Sequence, residues 1–333
     1  MIRPFNLRDL PLLRRLSEQG VFLHTESALA NNLSPLREAL FSLVGGDYPT
    51  YVWKLDQGPA TGFIQLMLEE NEQHARIIYI SPNDEAADSG EDDNEQISNE
   101  DVWLPLLDQA VIEVGSRGIH SLIAEVSETG AELLLLRRAG FAIYTRQDIW
   151  RLDVVDDPPA AHLELAPRRP VDDWDIQLLY GNMVPRLVQL VEPAPPLNRG
   201  GSWLLRENDE LVAFGHLRFG SIATWLRLFI HPNAEAQADE IVAAMVQVAR
   251  QKTARPIYCC VRRYQSWLQR PLQDAGFLHC GSQAVMVKHT VHHLFRPLPE
   301  ISAVLEPQHI PASAPMIPRY GRSRVNGKSN KIN

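Results

Sequence analysis

The sequence predicts an α/β (α+β) protein of two similar domains in tandem, each a mixed, mostly antiparallel sheet flanked by helices. Two observations carry this. The same series of strands and helices can be read twice along the 333 residues, and two landmarks recur in the same order. Ile-x-Pro stands at Ile80–Pro82 and Ile230–Pro232, and Ala-Gly-Phe at Ala139–Phe141 and Ala275–Phe277. A repeat kept in order outweighs any single motif as evidence for architecture.

The first half opens with "RPFNLRDLPLLRRLSEQG", where Asn6 can cap a helix and Leu10, Leu13 and Leu16 fall at helical spacing. "TYVWKL", "TGFIQLML" and "ARIIYISP" read as strands, the first two joined by the turn "DQGPA". A polar stretch leads to the helix "NEDVWLPLLDQAVIEVGSRG", capped at Asn99, with Pro105 expected in its first turns, where a missing N–H costs little. The strand "IHSLIAEV", the helix "GAELLLLRRAG" and the strand "FAIYTRQDIWRL" close the half.

In the second half "SWLLREND", "ELVAFGHLRFG" and "ATWLRLFIHP" are strands. "AEAQADEIVAAMVQVARQ" is a helix with Ile241, Val242, Met245, Val246 and Ala249 on one face. "PIYCCV", "YQSWLQRPLQDAG" and "FLHCGSQAVMVKHT" follow as strand, helix and closing strand. From landmark proline to landmark glycine the first copy spans 58 residues and the second 44, a difference that matches an acidic insertion at about 83–98. We therefore expect domains at 1–157 and 174–296, a proline-rich linker at 158–173 and a disordered basic tail at 297–333. The short linker, with Trp150 and Trp174 nearby, leads us to expect the halves to pack through apolar surface.

Composition is that of a soluble globular chain, with 45% apolar and 22% charged residues. No apolar run approaches a membrane helix, and "MIRPFNLRDLPLLRRL" is broken by charge where a signal peptide needs an apolar core. Cys259, Cys260 and Cys280 offer neither an even disulfide framework nor metal-ligand spacing, so cytoplasmic residence and no metal are expected. Residues 1–157 hold 12 Lys/Arg against 27 Asp/Glu, and residues 158–333 hold 20 against 14. The acidic half would repel phosphate, so nucleic acid is not expected there; the tail run "RYGRSRVNGKSNK" is short and non-specific.

The repeated series resembles the GNAT superfamily of acyl-CoA-dependent N-acetyltransferases. "IRPFNLRDLPLLRRL" at the start, "IYISP" and "FIHP" at the fourth strand, and "LLRRAGF" and "LQDAGF" near each end carry the resemblance. It covers roughly residues 1–155 and, more loosely, 170–290; tandem arrangements occur in that superfamily. The resemblance implies that the fourth and fifth strands splay and that the pantetheine arm of acetyl-CoA lies between them, pairing with exposed backbone. It also implies a diphosphate loop of pattern [Arg/Gln]-x-x-Gly-x-[Gly/Ala] at the next helix, and a tyrosine that protonates the leaving thiolate.

The departures are specific. The first half carries nine carboxylates between Asp84 and Asp101 at the loop position, where a diphosphate would meet like charge. In the second half the family's glycines fall on Ala236 and Ala238, with Asn233 at the Arg/Gln position and Glu235, Asp239 and Glu240 close by. A Cβ at Ala236 obstructs an anion, so the turn reads as an eroded cradle. Leu136 and Leu272 stand where the family often has tyrosine, and no catalytic residue is assigned. Cofactor contacts are expected from the backbone of Phe229 and Ile230 and the N–H groups of Ala236, Gln237 and Ala238.

Other residues have two readings each. His231 is a turn histidine or a base; His289, His292 and His293 a strand end or a metal site; Tyr264 a packing residue of the last helix or an acid; Cys259 and Cys260 small apolar residues of a strand. The function expected is acetyl transfer from acetyl-CoA to a small-molecule or protein amine, with residual activity in the second half. The alternative is a catalytically silent tandem GNAT-fold protein that binds a small molecule or a protein; a homo-oligomer stays open.

Overall fold

Both halves begin with the same local device. In the first, strand β1 (Ile2–Pro4) leads to Asn6, whose side chain accepts the N–H of Arg8 at 2.9 Å while the Asp9 carboxylate accepts the N–H of Asn6 at 3.0 Å. This reciprocal cap starts a short 3-10 turn and then helix α1 (Leu10–Leu16), with Leu13 and Leu16 buried. Arg3 clamps the same Asp9 with two bonds of 2.6 and 2.7 Å. The computed structural model describes residues 2–43, 48–54, 60–68, 73–82, 99–154, 161–195, 197 and 200–290. The expected insertion at 83–98 and tail at 297–333 lie outside the described residues.

The first half continues through β2 (Val21–Phe22), α2 (Thr25–Ala30), α3 (Pro35–Ser42), β3 (Thr50–Lys54), β4 (Ala60–Leu68) and β5 (His74–Ser81). It then runs through α4 (Asn99–Ser116), β6 (Ser121–Ser127), α5 (Glu132–Arg138) and β7 (Ala142–Leu152). Pro105 is the seventh residue of α4, within its first two turns.

The second half opens earlier than expected. Strand β8 (Ala166–Pro167) and a cap in which Asp172 accepts the N–H of Arg169 at 2.8 Å lie inside the stretch read as linker. Helix α6 (Asp173–Met183) and α7 (Arg186–Gln189) follow, then β9 (Gly201–Glu207), β10 (Glu210–Phe219) and β11 (Thr224–Ile230). The chain ends its described part with α8 (Ala238–Lys252), β12 (Ile257–Arg262), α9 (Gln269–Asp274) and β13 (Leu278–His289). Proline-rich composition hid the opening strand, because β8 is only two residues long and carries no period.

The two Ala-Gly-Phe landmarks are helix stops. Gly140 and Gly276 sit at φ of 84° and 89°, the left-handed region where a Cβ is penalised. Phe141 N–H reaches back to Leu136 O and Phe277 N–H to Leu272 O, both at 2.9 Å, so each glycine closes a Schellman motif.

The described strands form one sheet in the order β1-β3-β4-β5-β6-β13-β7-β12-β11-β10-β9-β8, with β2 added to β5 off this path. Residues Met1–His292 form a single compact unit. The closing strands are exchanged. β7 ends the first half in sequence but pairs with β12, Gln147–Leu152 against Ile257–Arg262. β13 ends the second half but pairs with β6, Gln283–His289 against Ser121–Ser127, as well as with β7. Backbone hydrogen bonds, rather than apolar surface alone, join the halves. Trp150 is buried in the core, whereas Trp174 is 77% exposed.

Strand alternation divides the core. On one face α4 buries Val102, Trp103, Leu106 and Ala110 against Ile64, Ile77 and Leu122, and α8 buries Ile241, Val242, Met245 and Val246 against Leu226, Leu228 and Ile257. On the other, α1 and α3 cover Phe63, Ile78 and Tyr79, while α6 covers Phe214 and Phe229. Each such side chain contributes about 1.5–3 kcal/mol when taken fully out of water. No helix among the described residues is long and apolar enough to cross a membrane.

Candidate functional site

Two wedges open in the sheet, one per half. β5 and β6 run parallel only over His74–Arg76 and Ser121–Ile123, and β11 and β12 only over Thr224–Arg227 and Ile257–Cys260. Beyond these residues the strands separate, leaving one edge of β5 and one of β11 to find other partners.

The first wedge is filled by the chain itself. β2 pairs with β5, Val21 opposite Ile80 and Phe22 opposite Tyr79. Leu23 then bridges both walls: its N–H donates to Ile78 O at 2.9 Å, and its carbonyl accepts the N–H of Glu125 on β6 at 2.8 Å. Leu23 is fully buried, so the bridge is dry.

Among the described residues, no strand enters the second wedge. Thr224 N–H points toward β12, donating to Pro256 O at 2.8 Å, and His231 N–H points toward β10, donating to Val212 O at 2.8 Å. Because backbone groups alternate edge by edge along a strand, Leu228 and Ile230 face the wedge and Phe229 faces β10. The Ile230 backbone therefore turns toward the wedge, while the Phe229 backbone is turned away and its ring packs on Phe214 and Tyr180. The Leu228 carbonyl meets the buried Gln265 side chain, whose Nε2 lies 3.4 Å away.

The turn after β11 is a 3-10 helix over Pro232–Gln237. His231 caps it, with Nδ1 accepting the N–H of Asn233 at 3.2 Å, which is the turn role. Ala234 N–H bonds His231 O, and Ala238 N–H bonds Glu235 O. Ala236 is exposed, Ala238 is buried, and Gln237 donates to Glu207 across the turn. Of the three amides expected to form the cradle, that of Ala238 is used within the turn, as are those of Asn233 and Ala234 beside it.

Behind the wedges, where the halves meet, lies a polar chamber that sequence reasoning missed. About 540 Å³ of unfilled space, part of it continuous with solvent, is lined from β5, β6, β7, β11, β12 and β13 and by residues of the α2 and α7 regions. Arg76, Arg227 and Arg262 enter it with His24, Glu26, Glu125 and Glu192. Glu192 ties two of the arginines: Arg227 at 2.7 Å and Arg262 at 2.6 Å through both oxygens. Burial alone would raise the Glu192 carboxyl, but the two guanidiniums hold it down to about 2. Glu125 accepts the N–H of Thr25 at 2.8 Å; burial works against its charge, yet His24, Arg262 and Thr25 keep it below the usual carboxylate range. Glu26 pairs with Arg218 at 2.9 Å, but burial leaves it raised.

Cys259 packs in the core as expected, whereas Cys260 lines the chamber and its S–H donates to Gln147 Oε1 at 3.2 Å. Burial pushes its thiol up to about 12, so it stays protonated at neutral pH and is no nucleophile. Tyr264 packs beside Phe229 and Tyr180 rather than against the last helix, and burial raises its hydroxyl. His289 contacts the Tyr144 hydroxyl at a strand end, and His292 and His293 lie outside the described residues.

No family model matches the chain, and no curated protein matches it in sequence. Solved structures share its fold. A GCN5-related N-acetyltransferase from Sphaerobacter thermophilus has a TM-score of 0.55 at 12% identity, over 87% of this chain and 95% of that one. A tandem GNAT protein from the clavulanic acid biosynthesis pathway has a TM-score of 0.50 at 11% identity, over 87% and 98%. A glucosamine N-acetyltransferase region of a fungal multi-domain GH3 β-N-acetylglucosaminidase reaches 0.53 at 12% identity, over 86% of this chain and 38% of that one. The chain has the tandem GNAT fold.

Proposed function

We propose that this chain transfers an acyl group from acyl-CoA to an amine, using the wedge of its second half alone, with the first half as scaffold. The carrying observation is the asymmetry of the wedges. A pantetheine arm offers amides suited to an unpaired strand edge. In the first wedge that edge of β5 is held by Val21–Leu23. In the second, the edge at Leu228 and Ile230 meets, among the described residues, one long side-chain contact, from Gln265 at 3.4 Å.

Fit to the donor is uneven. Leu228 and Ile230 would hold the pantetheine arm. The N–H groups near Ala236, Gln237 and Ala238 would meet the diphosphate poorly, since neighbouring amides are spent within the turn and Glu235, Asp239 and Glu240 oppose an anion. The acyl donor is then recognised by its arm more than by its phosphates. A second reading, a silent ligand-binding module, is favoured by that same closed turn.

Calorimetry of the full chain with acetyl-CoA and with acetyl-pantetheine separates the two. Under the first reading both bind, within about tenfold of each other. Ala236→Gly combined with Glu235→Arg then tightens acetyl-CoA by about tenfold, roughly 1.4 kcal/mol, and leaves acetyl-pantetheine unchanged. If neither compound binds the native chain or the variant, the transferase reading falls and the binding module stands.

A further inference from the structure

We propose that the central chamber binds a small aminocarboxylate of the α-amino-acid class, with Arg76 taking its carboxylate and Glu26 and Glu125 facing its amine. As the amine acceptor this ligand would deepen the transferase reading, but its binding does not depend on that reading.

The inference starts from an imbalance between equivalent residues. Arg227 and Arg262 share Glu192, whereas Arg76 makes no hydrogen bond or ion pair with any of the described residues. A guanidinium lining an enclosed space is best matched by a planar anion, and its fork fits a carboxylate. The chamber's own carboxylates do not supply one. Glu192 is saturated by two arginines, Glu26 turns to Arg218, and Glu125 is bonded to the Thr25 N–H.

The opposite need is also present. Glu26 stays raised by burial although Arg218, Arg227 and Arg76 all act on it, so a cation in direct contact would relieve it. Glu26 and Glu125 both line the chamber, as do Ile123, Val191, Val285 and Trp225. Anion site, cation site and apolar wall together match carboxylate, ammonium and side chain of one small molecule. The chamber is partly continuous with solvent, which gives a small ligand a way in.

The test uses the full chain. The twenty protein amino acids are titrated by calorimetry, with the fluorescence of Trp225, read against Trp225→Phe, reporting on the chamber. At least one should bind saturably at one per chain. Its amide, which lacks the carboxylate, and its deaminated acid, which lacks the amine, should each bind about tenfold or more weaker. Arg76→Gln should lose about tenfold or more with its unfolding midpoint kept; if it does not fold, Arg76→Lys, which keeps the charge and loses the fork, should show a smaller loss. The proposal is overturned if none of the twenty binds, if the amide or the deaminated acid binds as well, or if the Arg76 variants bind unchanged. Acetyl-CoA titrated into the same proteins separates the two readings: amino-acid binding without donor binding ends the transferase and leaves the chamber proposal, and the converse does the reverse.

Discussion

Arg76 and Arg227 occupy the same place in the two halves. Each is the last residue of its strand to pair in parallel, Arg76 with Ile123 and Arg227 with Cys260, and both side chains enter one chamber. Two residues further along the partner strands the equivalence reverses in charge: Glu125 stands in the first half and Arg262 in the second. The repeat thus builds a chamber from near-copies while giving its two sides opposite sign.

The Glu192 carboxylate carries that arrangement, so Glu192→Gln should cost about 3–5 kcal/mol by leaving two buried guanidiniums under-compensated. Its acid titration has a definite sign. With the folded value depressed to about 2 from 4.5, its contribution is complete above pH 4.5 and is lost as pH falls toward 2. Urea unfolding across that window should show a loss of about 3 kcal/mol that the Gln variant lacks. Equal pH dependence in both proteins would contradict the assignment.

His216 should produce a separate loss at milder acidity. It is buried, its Nδ1 lies 2.9 Å from the Ser202 hydroxyl, and Nε2 has no partner among the described residues. Burial first, then Arg227 and Arg218, lower it from 6.5 to about 4. Folding therefore favours the neutral ring: stability is complete above pH 6.5 and declines by about 3 kcal/mol as pH falls to 4. Chemical denaturation of His216→Phe between those pH values should come out flatter than that of the native chain; an identical slope would refute the origin.

The exchanged strands predict that neither half folds alone. A chain ending at residue 157 would leave β7 without β12 and β13, and β6 without β13. It would also expose strand edges that favour aggregation. Residues 1–157 and 158–333, made separately, should lack a cooperative thermal transition, and made together should co-purify as a folded pair. A cooperative transition in either fragment by itself would rule this out.

Hydrogen exchange reads the filled wedge directly. The amides of Leu23 and Glu125 are bonded across it at 2.9 and 2.8 Å, in a buried setting. Both should exchange only through global unfolding, and acetyl-CoA should leave their rates unchanged. Fast exchange at Leu23 would mean that β2 leaves the wedge readily, and the first half would then be a donor site as well.

The sequence by itself determined the elements and their repetition, because those rest on local physics. Period-two and helical spacing marked most strands and helices, Asn6 announced its cap, and Ala-Gly-Phe recurs because a helix stop needs a residue at positive φ. Tertiary structure alone decided which strand closes which half, what fills each wedge, and where the charges meet. Strand exchange leaves alternation unchanged, so no pattern in β7 or β13 reveals its partner. β2 is two residues long, too short for any period. The equivalence of Arg76 and Arg227 is hidden by a bulge: Gln65 faces Tyr79 and Leu66 faces Ile77, leaving Ile78 extra, so counting back from the Ile-x-Pro landmarks sets Arg76 against Leu226 instead. Glu192 and Arg262 lie 70 residues apart, and only the folded sheet brings them within a hydrogen bond, where low dielectric turns ordinary surface charges into the defining feature of the site.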